Sequence, residues 1–394
     1  MHRTLIVATT SYAGMGPYVS EIVNNFAPND GVFYFFCDHE DDFFLKNIKE
    51  NDGTLHLMGL VSDGGVHSDI KYIVNLQGDE PMITPESIDN VITALKTGEN
   101  ADIALDKAEQ EIYRLEKLFS VTDDSSEVYK INNSQGKKIE ITEDVRSLIE
   151  FSENMRGKTN GCFDIRIYPI LKEWGFTTGD YKIPDSERIV QLKKITENTE
   201  IFLEEEFLIC SENGEIDFGA AAKGYTSDRI AEIFRENGIE SAIINLGGNV
   251  HAFGKKPDNS FWNVAVTDPF SPDKTLGIVR VSDKAVITSG DYQRYFAGND
   301  GRKYCHIINP STGYPAENGL VSVTVVGENG LLCDALSTAF FVMGREKTEK
   351  YLKNHSEVSV LLVETDRTLV ISEAISDYFE NHSDYPIEVI ENEN

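Results

Sequence analysis

From Ala101 onward the apolar residues Leu105, Ala108, Ile112, Leu115 and Phe119 recur at spacings that alternate between three and four. That is one face of a helix, so the pattern predicts an amphipathic helix about five turns long. Val145, Leu148, Ser152 and Met155 repeat the pattern and predict a second helix over 143–155, with Thr142 as its cap. Ahead of them, apolar runs at 5–9, 32–37 and 72–76 predict strands, and the spacing over 18–26 predicts a helix. A further helix is expected over 84–95, opened by Pro85. This is α/β-type material, and it changes character at Thr97-Gly98-Glu99-Asn100, which sets a boundary near residue 98.

Beyond that boundary, Ile216-Asp217-Phe218-Gly219 reads as a strand end opening into a small-residue turn, followed by a helix over 224–237 that stops at Gly238. Strands are predicted at 241–246, 262–266, 286–289 and 321–326, and a helix over 332–343 that ends at Gly344. Residues 358–363 and 368–371 pair as a hairpin through Asp366-Arg367. Strands mixed with a few helices give an α+β class, with mixed or antiparallel sheets and packed helices. The expected division is an atypical N-terminal segment at 1–97, a main domain at 98–376, and an acidic tail at 377–394 that frays.

Composition narrows the functions available. Of 394 residues, 36 are Lys or Arg and 66 are Asp or Glu, a net charge of −30 that argues against nucleic acid as a partner. No run approaches the ~18 apolar residues of a membrane span, and the start of the chain does not read as an export signal, so the expected location is cytoplasmic. Cys37, Cys162, Cys210, Cys305 and Cys333 are scattered and odd in number, against a disulfide framework or a zinc site. On so acidic a chain, a phosphate-bearing substrate needs a local device: a cation, a lysine or a helix N-terminus.

Four segments offer such devices. In Cys333-Asp334-Ala335-Leu336-Ser337-Thr338, a helical backbone would stack Asp334 and Thr338 at i and i+4, presenting a carboxylate and a hydroxyl to one point. Hard oxygens without His or Cys suit Mg²⁺, although an acid in a first helical turn would also explain Asp334. In IDFGAAAKGY, Asp217 closes a strand and Lys223 opens a helix where a phosphate is favoured, or the segment is only a tight strand-to-helix turn. Gly247, Gly248 and Asn249 end a strand with backbone N–H groups free for an anion, or they form a hairpin turn. His306 precedes the punctuated loop Asn309-Pro310-Ser311-Thr312-Gly313 and can accept a proton near neutral pH, or it is merely packed.

Taken together and in order, these segments resemble the FAD:protein FMN transferase (ApbE) family over about residues 101–372. The carrying blocks are YRLEKLFS, GCFD at 161–164, DFGAAAKGY at 217–225, INLGGN at 244–249, TSGDYQRYF at 288–296, HIINPSTGYP at 306–315 and DALSTAFFVMG at 334–344. The resemblance implies a Mg²⁺-dependent transferase that cleaves the FAD pyrophosphate. Such an enzyme attaches FMN through a phosphoester to a Ser or Thr of a target flavoprotein and releases AMP. It further implies Asp334 and Thr338 as metal ligands, joined by the Ala220 carbonyl, and His306 as catalytic base. Cys162, Phe163, Asp164, Asp217, Lys223 and Ile308 would contact FAD, with Gly247, Gly248 and Asn249 beside them. Family members often carry a second acid where Ser337 stands, so here the metal is held more weakly, or by that hydroxyl.

The first 97 residues depart from this family, whose members usually begin with an export or lipoprotein signal and are often extracytoplasmic and membrane-anchored, which allows a membrane-associated acceptor. LHLMGLVSDGGVHSD at 55–69 is similar to phosphoglycerate mutases, NLQGDEPMITPESID at 75–89 to cytidylyltransferases, and 3–49 loosely to a glycosyltransferase. Each is a fragment, so the segment reads as a fused or chimeric piece. Asp63, His67, Asp79 and Glu80 are read as solvated loop residues rather than a metal site, and Met58-Gly59 as a stand-in for a Met-Gly turn of the family. The competing functions are a Mg²⁺-dependent FAD pyrophosphatase and a non-catalytic flavin-binding protein.

Overall fold

A computed structural model describes residues 99–390 except Pro257, together with the backbone of four short strands ahead of them. Among those strands, Leu5–Thr9 pairs in parallel with Val32–Phe36. The expected helix over 18–26, Met58-Gly59, Asp63, His67, Asp79 and Glu80 lie outside the described residues.

One nine-stranded sheet organises the chain. Its strands are β1 (Tyr72–Val74), β2 (Ile92–Ala94), β3 (Ser241–Leu246), β4 (Asn249–Gly254), β5 (Lys284–Gly290), β6 (Leu320–Gly327), β7 (Val358–Glu364), β8 (Leu369–Ser372) and β9 (Ile387–Ile390). They lie side by side in chain order, every pair antiparallel except β8 and β9. The class is therefore α+β with a mixed sheet, as expected. Alternation sorts the central strands into two faces: Val323, Val325, Val360 and Leu362 face a helical layer, while Val326, Leu361 and Val363 face a smaller sheet. That sheet is Trp262–Asp268, Ser271–Val281 and Phe379–Asn381.

Three helices form the layer that matters for the site: α1 (Glu99–Phe119), α2 (Ala222–Glu236) and α3 (Gly330–Met343). The predicted face of α1 is the buried one, with Ala108, Ile112 and Leu115 fully enclosed. Its N-terminal half packs on Ile230 and Phe234 of α2 and on Ile244 and Phe253 of the sheet. The end of α3 is set by Gly344, whose φ of 75° a side chain would resist.

Several local expectations are corrected. Residues 92–94 are strand rather than helix, since the β-branched Ile92 and Thr93 suit a pleated pairing with β3. Thr142 stands at the N-cap of Glu143–Lys158 with extended backbone, yet it does not cap, because its hydroxyl and N–H both bind the Glu127 carboxylate. Asp217 closes no strand: Ile216 to Gly219 runs as a loop outside any ladder. The acidic end does not fray up to residue 390. Phe379–Asn381 pairs with Ser271–Val281, β9 runs along β8, and the Tyr385 hydroxyl donates to the Asp268 carboxylate. Arg345 also ties Glu388 of this end to Glu349 and Glu364 of the main domain.

Candidate active site

A cleft of about 420 Å³ opens where the start of α2, the middle of α3, the end of β5 and the loops around residues 163, 217 and 307 converge. Twelve of the expected site residues line it: Cys162, Phe163, Asp164, Asp217, Ala220, Lys223, Gly247, Asn249, His306, Ile308, Asp334 and Thr338. Elements more than a hundred residues apart in the chain thus meet at one surface.

Asp334 sits in the second turn of α3, which begins at Gly330, so the alternative of a first-turn acid stabilised by the helix dipole does not apply. What fixes its carboxylate is tertiary. Oδ2 accepts from the Gly224 N–H at 2.8 Å and Oδ1 from Asn249 Nδ2 at 2.9 Å. Asn249, itself on the cleft wall, thus also orients Asp334. One turn on, Thr338 lines the same wall, as the i, i+4 spacing requires. Ser337 does not. It is wholly buried, and its hydroxyl donates back to the Asp334 carbonyl at 2.8 Å, so the expectation of a metal ligand at Ser337 is corrected. Gly248 is likewise absent from the cleft wall: its N–H bonds Asn245 Oδ1 in the β3–β4 hairpin, where φ of 89° calls for glycine.

Asp217 is held from behind. Asn132 grips Ile216 with both amide atoms, Oδ1 accepting its N–H at 2.7 Å and Nδ2 donating to its carbonyl at 2.9 Å, while the Asp217 N–H bonds the Ile165 carbonyl. The Asp217 Oδ1 accepts from the Gly219 N–H at 2.6 Å. Its Oδ2 is buried with no partner among the described residues. Burial pushes the Asp217 carboxyl up to about 6, with the Gly219 bond and the nearby Arg294 pulling weakly the other way.

His306 presents a defined tautomer. The Arg294 carbonyl accepts both its backbone N–H and its Nδ1–H, each at 3.1 Å, which leaves Nε2 as the free acceptor. Burial draws the His306 imidazole down to about 4, helped by the positive charges of Arg294 and Lys223, so the ring is neutral at pH 7. Phe176 stands edge-on at 6.4 Å between ring centres. The loop after His306 is anchored by Trp174, whose Nε1 donates to the Gly313 carbonyl.

Two lining carboxylates differ sharply in availability. Asp164 caps Ile165–Ile167 and pairs with Arg156 at 2.8 Å and Arg166 at 3.2 Å, so its charge is already balanced. Asp217 forms no ion pair among the described residues. Lys223, in the first turn of α2, makes no ion pair or hydrogen bond among the described residues and faces the cleft with Arg294. Burial raises the Cys162 thiol, so it is not a thiolate nucleophile at neutral pH.

Residues that sequence reasoning did not assign to the site are Arg294, Gln293 and Ser289 of the quoted TSGDYQRYF block, with Phe176 and Thr177, all on the cleft wall, and Asn132 behind it. Arg294 had a visible signal: a cation in the hydroxyl-rich TSGDYQRYF stretch of a strongly acidic chain. Among the described residues, no cluster of three or more His, Cys, Asp or Glu could hold a metal. The donor set at Asp334 and Thr338 is hard oxygen, with one carboxylate. That fits Mg²⁺, which takes few protein ligands and completes its shell with water and phosphate.

The α+β layers are an architecture shared with known proteins. The model of the ApbE family matches residues 83–362. The chain belongs to the ApbE family. Among curated relatives, the FAD:protein FMN transferase of Klebsiella pneumoniae is 32% identical over 268 residues, covering 67% of this chain and 83% of that protein. That of Treponema pallidum is 28% identical over 292 residues, covering 70% and 80%. Of solved structures, the ApbE protein of Thermotoga maritima superposes with a TM-score of 0.69 at 30% identity, covering 78% of this chain and 99% of that one. The apo flavinyl transferase ApbE of Pseudomonas stutzeri gives 0.64 at 25% identity, covering 74% and 93%. A second model, the BPG-independent PGAM N-terminus, matches residues 35–128, in keeping with the likeness of 55–69 to phosphoglycerate mutases.

Proposed function

We propose that this chain cleaves the pyrophosphate of FAD and attaches FMN by a phosphoester bond to a Ser or Thr hydroxyl of a target flavoprotein, releasing AMP, with Mg²⁺ as the cation. The observation that carries the reading is the placement of a neutral His306, with Nε2 free, in the same cleft as the Asp334–Thr338 pair and two cations.

Phosphoryl transfer asks a protein mainly for positioning and charge. The wall of Phe163, Ile165 and Phe176 offers apolar surface to a flavin or adenine ring, and the unpartnered Asp217 Oδ2 offers that ring's N–H an acceptor. Lys223 and Arg294 face the phosphates, which a chain of charge −30 would otherwise repel. Asp334 and Thr338, with the Ala220 carbonyl beside them, would hold the cation. Held there, Mg²⁺ would supply positive charge to offset the negative charge that develops on the phosphates. As the acceptor oxygen bonds to the FMN phosphorus and the bond to the AMP phosphate breaks, His306 Nε2 takes the hydroxyl proton. The acceptor is a flavoprotein, including one at a membrane surface.

The test is incubation of the purified chain with FAD, Mg²⁺ and a flavoprotein fragment bearing an acceptor threonine, followed by intact mass and nucleotide analysis. A mass gain of one FMN with AMP release is expected. AMP and free FMN without a mass gain would make the chain a pyrophosphatase, and no AMP would leave it a flavin binder.

A further inference from the structure

Hydroxyl protons can be counted, and the count along α3 and β5 gives one side chain an unassigned role. Ser337 donates its single proton to the Asp334 carbonyl. Its oxygen also lies 2.8 Å from Ser289 Oγ. With the Ser337 proton already committed, Ser289 is the donor in that pair. The Ser289 proton thus points into α3, and its oxygen meets the cleft as an acceptor only. Thr338 Oγ1 stands 3.4 Å from Ser289 Oγ on the same wall, so a Thr338 that gives its oxygen to a cation can still rest its proton on Ser289. That leaves Ser289 one lone pair for the cleft.

Asp334 is arranged in the same sense, since it carries no proton to offer and its two oxygens are held by donors of α2 and β4, the Gly224 N–H and Asn249 Nδ2. A donor set that has turned its protons away is built for a positive ligand rather than for a hydrogen-bond donor or an anion. We infer that Ser289, aimed by Ser337, is a further side-chain ligand of the divalent cation at Asp334 and Thr338. This rests on the reading that the cleft works on a cation-bound nucleotide. Of the three side chains only Asp334 carries charge, so the protein supplies one negative charge and the phosphates must supply the rest. The cation therefore binds more tightly with FAD present than without.

The full chain is titrated with Mn²⁺, followed by electron paramagnetic resonance, with and without FAD. Wild-type affinity should rise when FAD is present, and Ser289→Ala should weaken the FAD-supported affinity on the order of tenfold. Ser289→Cys guards against a merely structural effect. It should lose Mn²⁺ affinity yet gain Cd²⁺, seen as a thiolate charge-transfer band that wild-type protein, with its own Cys162 in the cleft, does not develop. Unchanged Mn²⁺ affinity in Ser289→Ala, or no new Cd²⁺ band in Ser289→Cys, overturns the role of Ser289 alone. Failure of the wild-type protein to bind Mn²⁺ even with FAD overturns the cation reading and this inference with it.

Discussion

The Asp334 carboxylate is oriented by the backbone N–H of Gly224, a residue 110 positions earlier in the chain. The bond is possible only because α2 and α3 touch at glycine. A methyl group on Gly224 would stand 2.3 Å from the Gly330 carbonyl oxygen and 2.7 Å from Asp334 Cβ. Gly224→Ala must therefore push the two helices apart. The expected cost is about 1–3 kcal/mol of stability, together with weakened cation binding, read by denaturant unfolding and Mn²⁺ titration.

Asn132 touches nothing in the cleft, yet it sets the height of Asp217 through Ile216. Asn132→Ala leaves two backbone groups of Ile216 unpaired, at a cost of about 2 kcal/mol. The kinetic signature should be a raised KM for FAD with kcat nearly unchanged, because the loop that presents Asp217 loosens while His306 stays in place. Steady-state kinetics with varied FAD would show it, and an equal fall in kcat would place Asn132 nearer the chemistry.

His306→Ala should slow transfer by about 10²- to 10⁴-fold while FAD affinity stays within a few-fold, since the ring is assigned to the proton and not to the nucleotide. The sign with pH follows from burial. The folded imidazole, at about 4, lies below the ordinary 6.5, so the base stays unprotonated well into mildly acidic solution. Its contribution to stability is present above the ordinary value and is lost as pH falls through about 4. A single-turnover rate measured against pH, with FAD saturating, checks the catalytic half of this statement.

Asp217 has the opposite sign. Its folded value, about 6, stands above the ordinary 3.8, so its stabilising contribution is present below 3.8 and disappears as pH rises through 6. At pH 8 the free protein carries a buried, half-partnered charge. Asp217→Asn should then raise the stability of the nucleotide-free protein by about 1–3 kcal/mol at pH 8, give no gain at pH 4, and lose FAD affinity at both. Thermal unfolding at the two pH values, with and without FAD, would separate these effects.

The sequence makes legible whatever its local period controls. The face of α1 and the apolar runs of β3, β5, β6 and β7 were readable because burial on one or both sides of an element leaves a repeating trace. The i, i+4 pair of Asp334 and Thr338 belongs to the same category. What resisted reading depends on contacts between distant segments. The Asn132 clamp spans 84 residues, and the pairing of Ser289 with Ser337 spans 48. Gly248 was expected in the site for a backbone N–H that the hairpin in fact uses itself, and Ser337 because family members often carry an acid at its position. In a hairpin tip and on a helix, the next residue faces elsewhere. The acidic end was misread for a related reason: the strands it pairs with, and the Arg345 that holds its Glu388, lie far upstream in the chain.

Behind His306 Nδ1 stands a main-chain carbonyl, not a carboxylate. A carbonyl carries only a partial negative charge, so a ring that has just taken up a proton finds no counter-ion to keep it there. Arg294 and Lys223 press the same way. If His306 takes the proton as proposed, its imidazolium would be a passing state that sheds that proton to water or to the departing phosphate, and the ring would begin each round already reset.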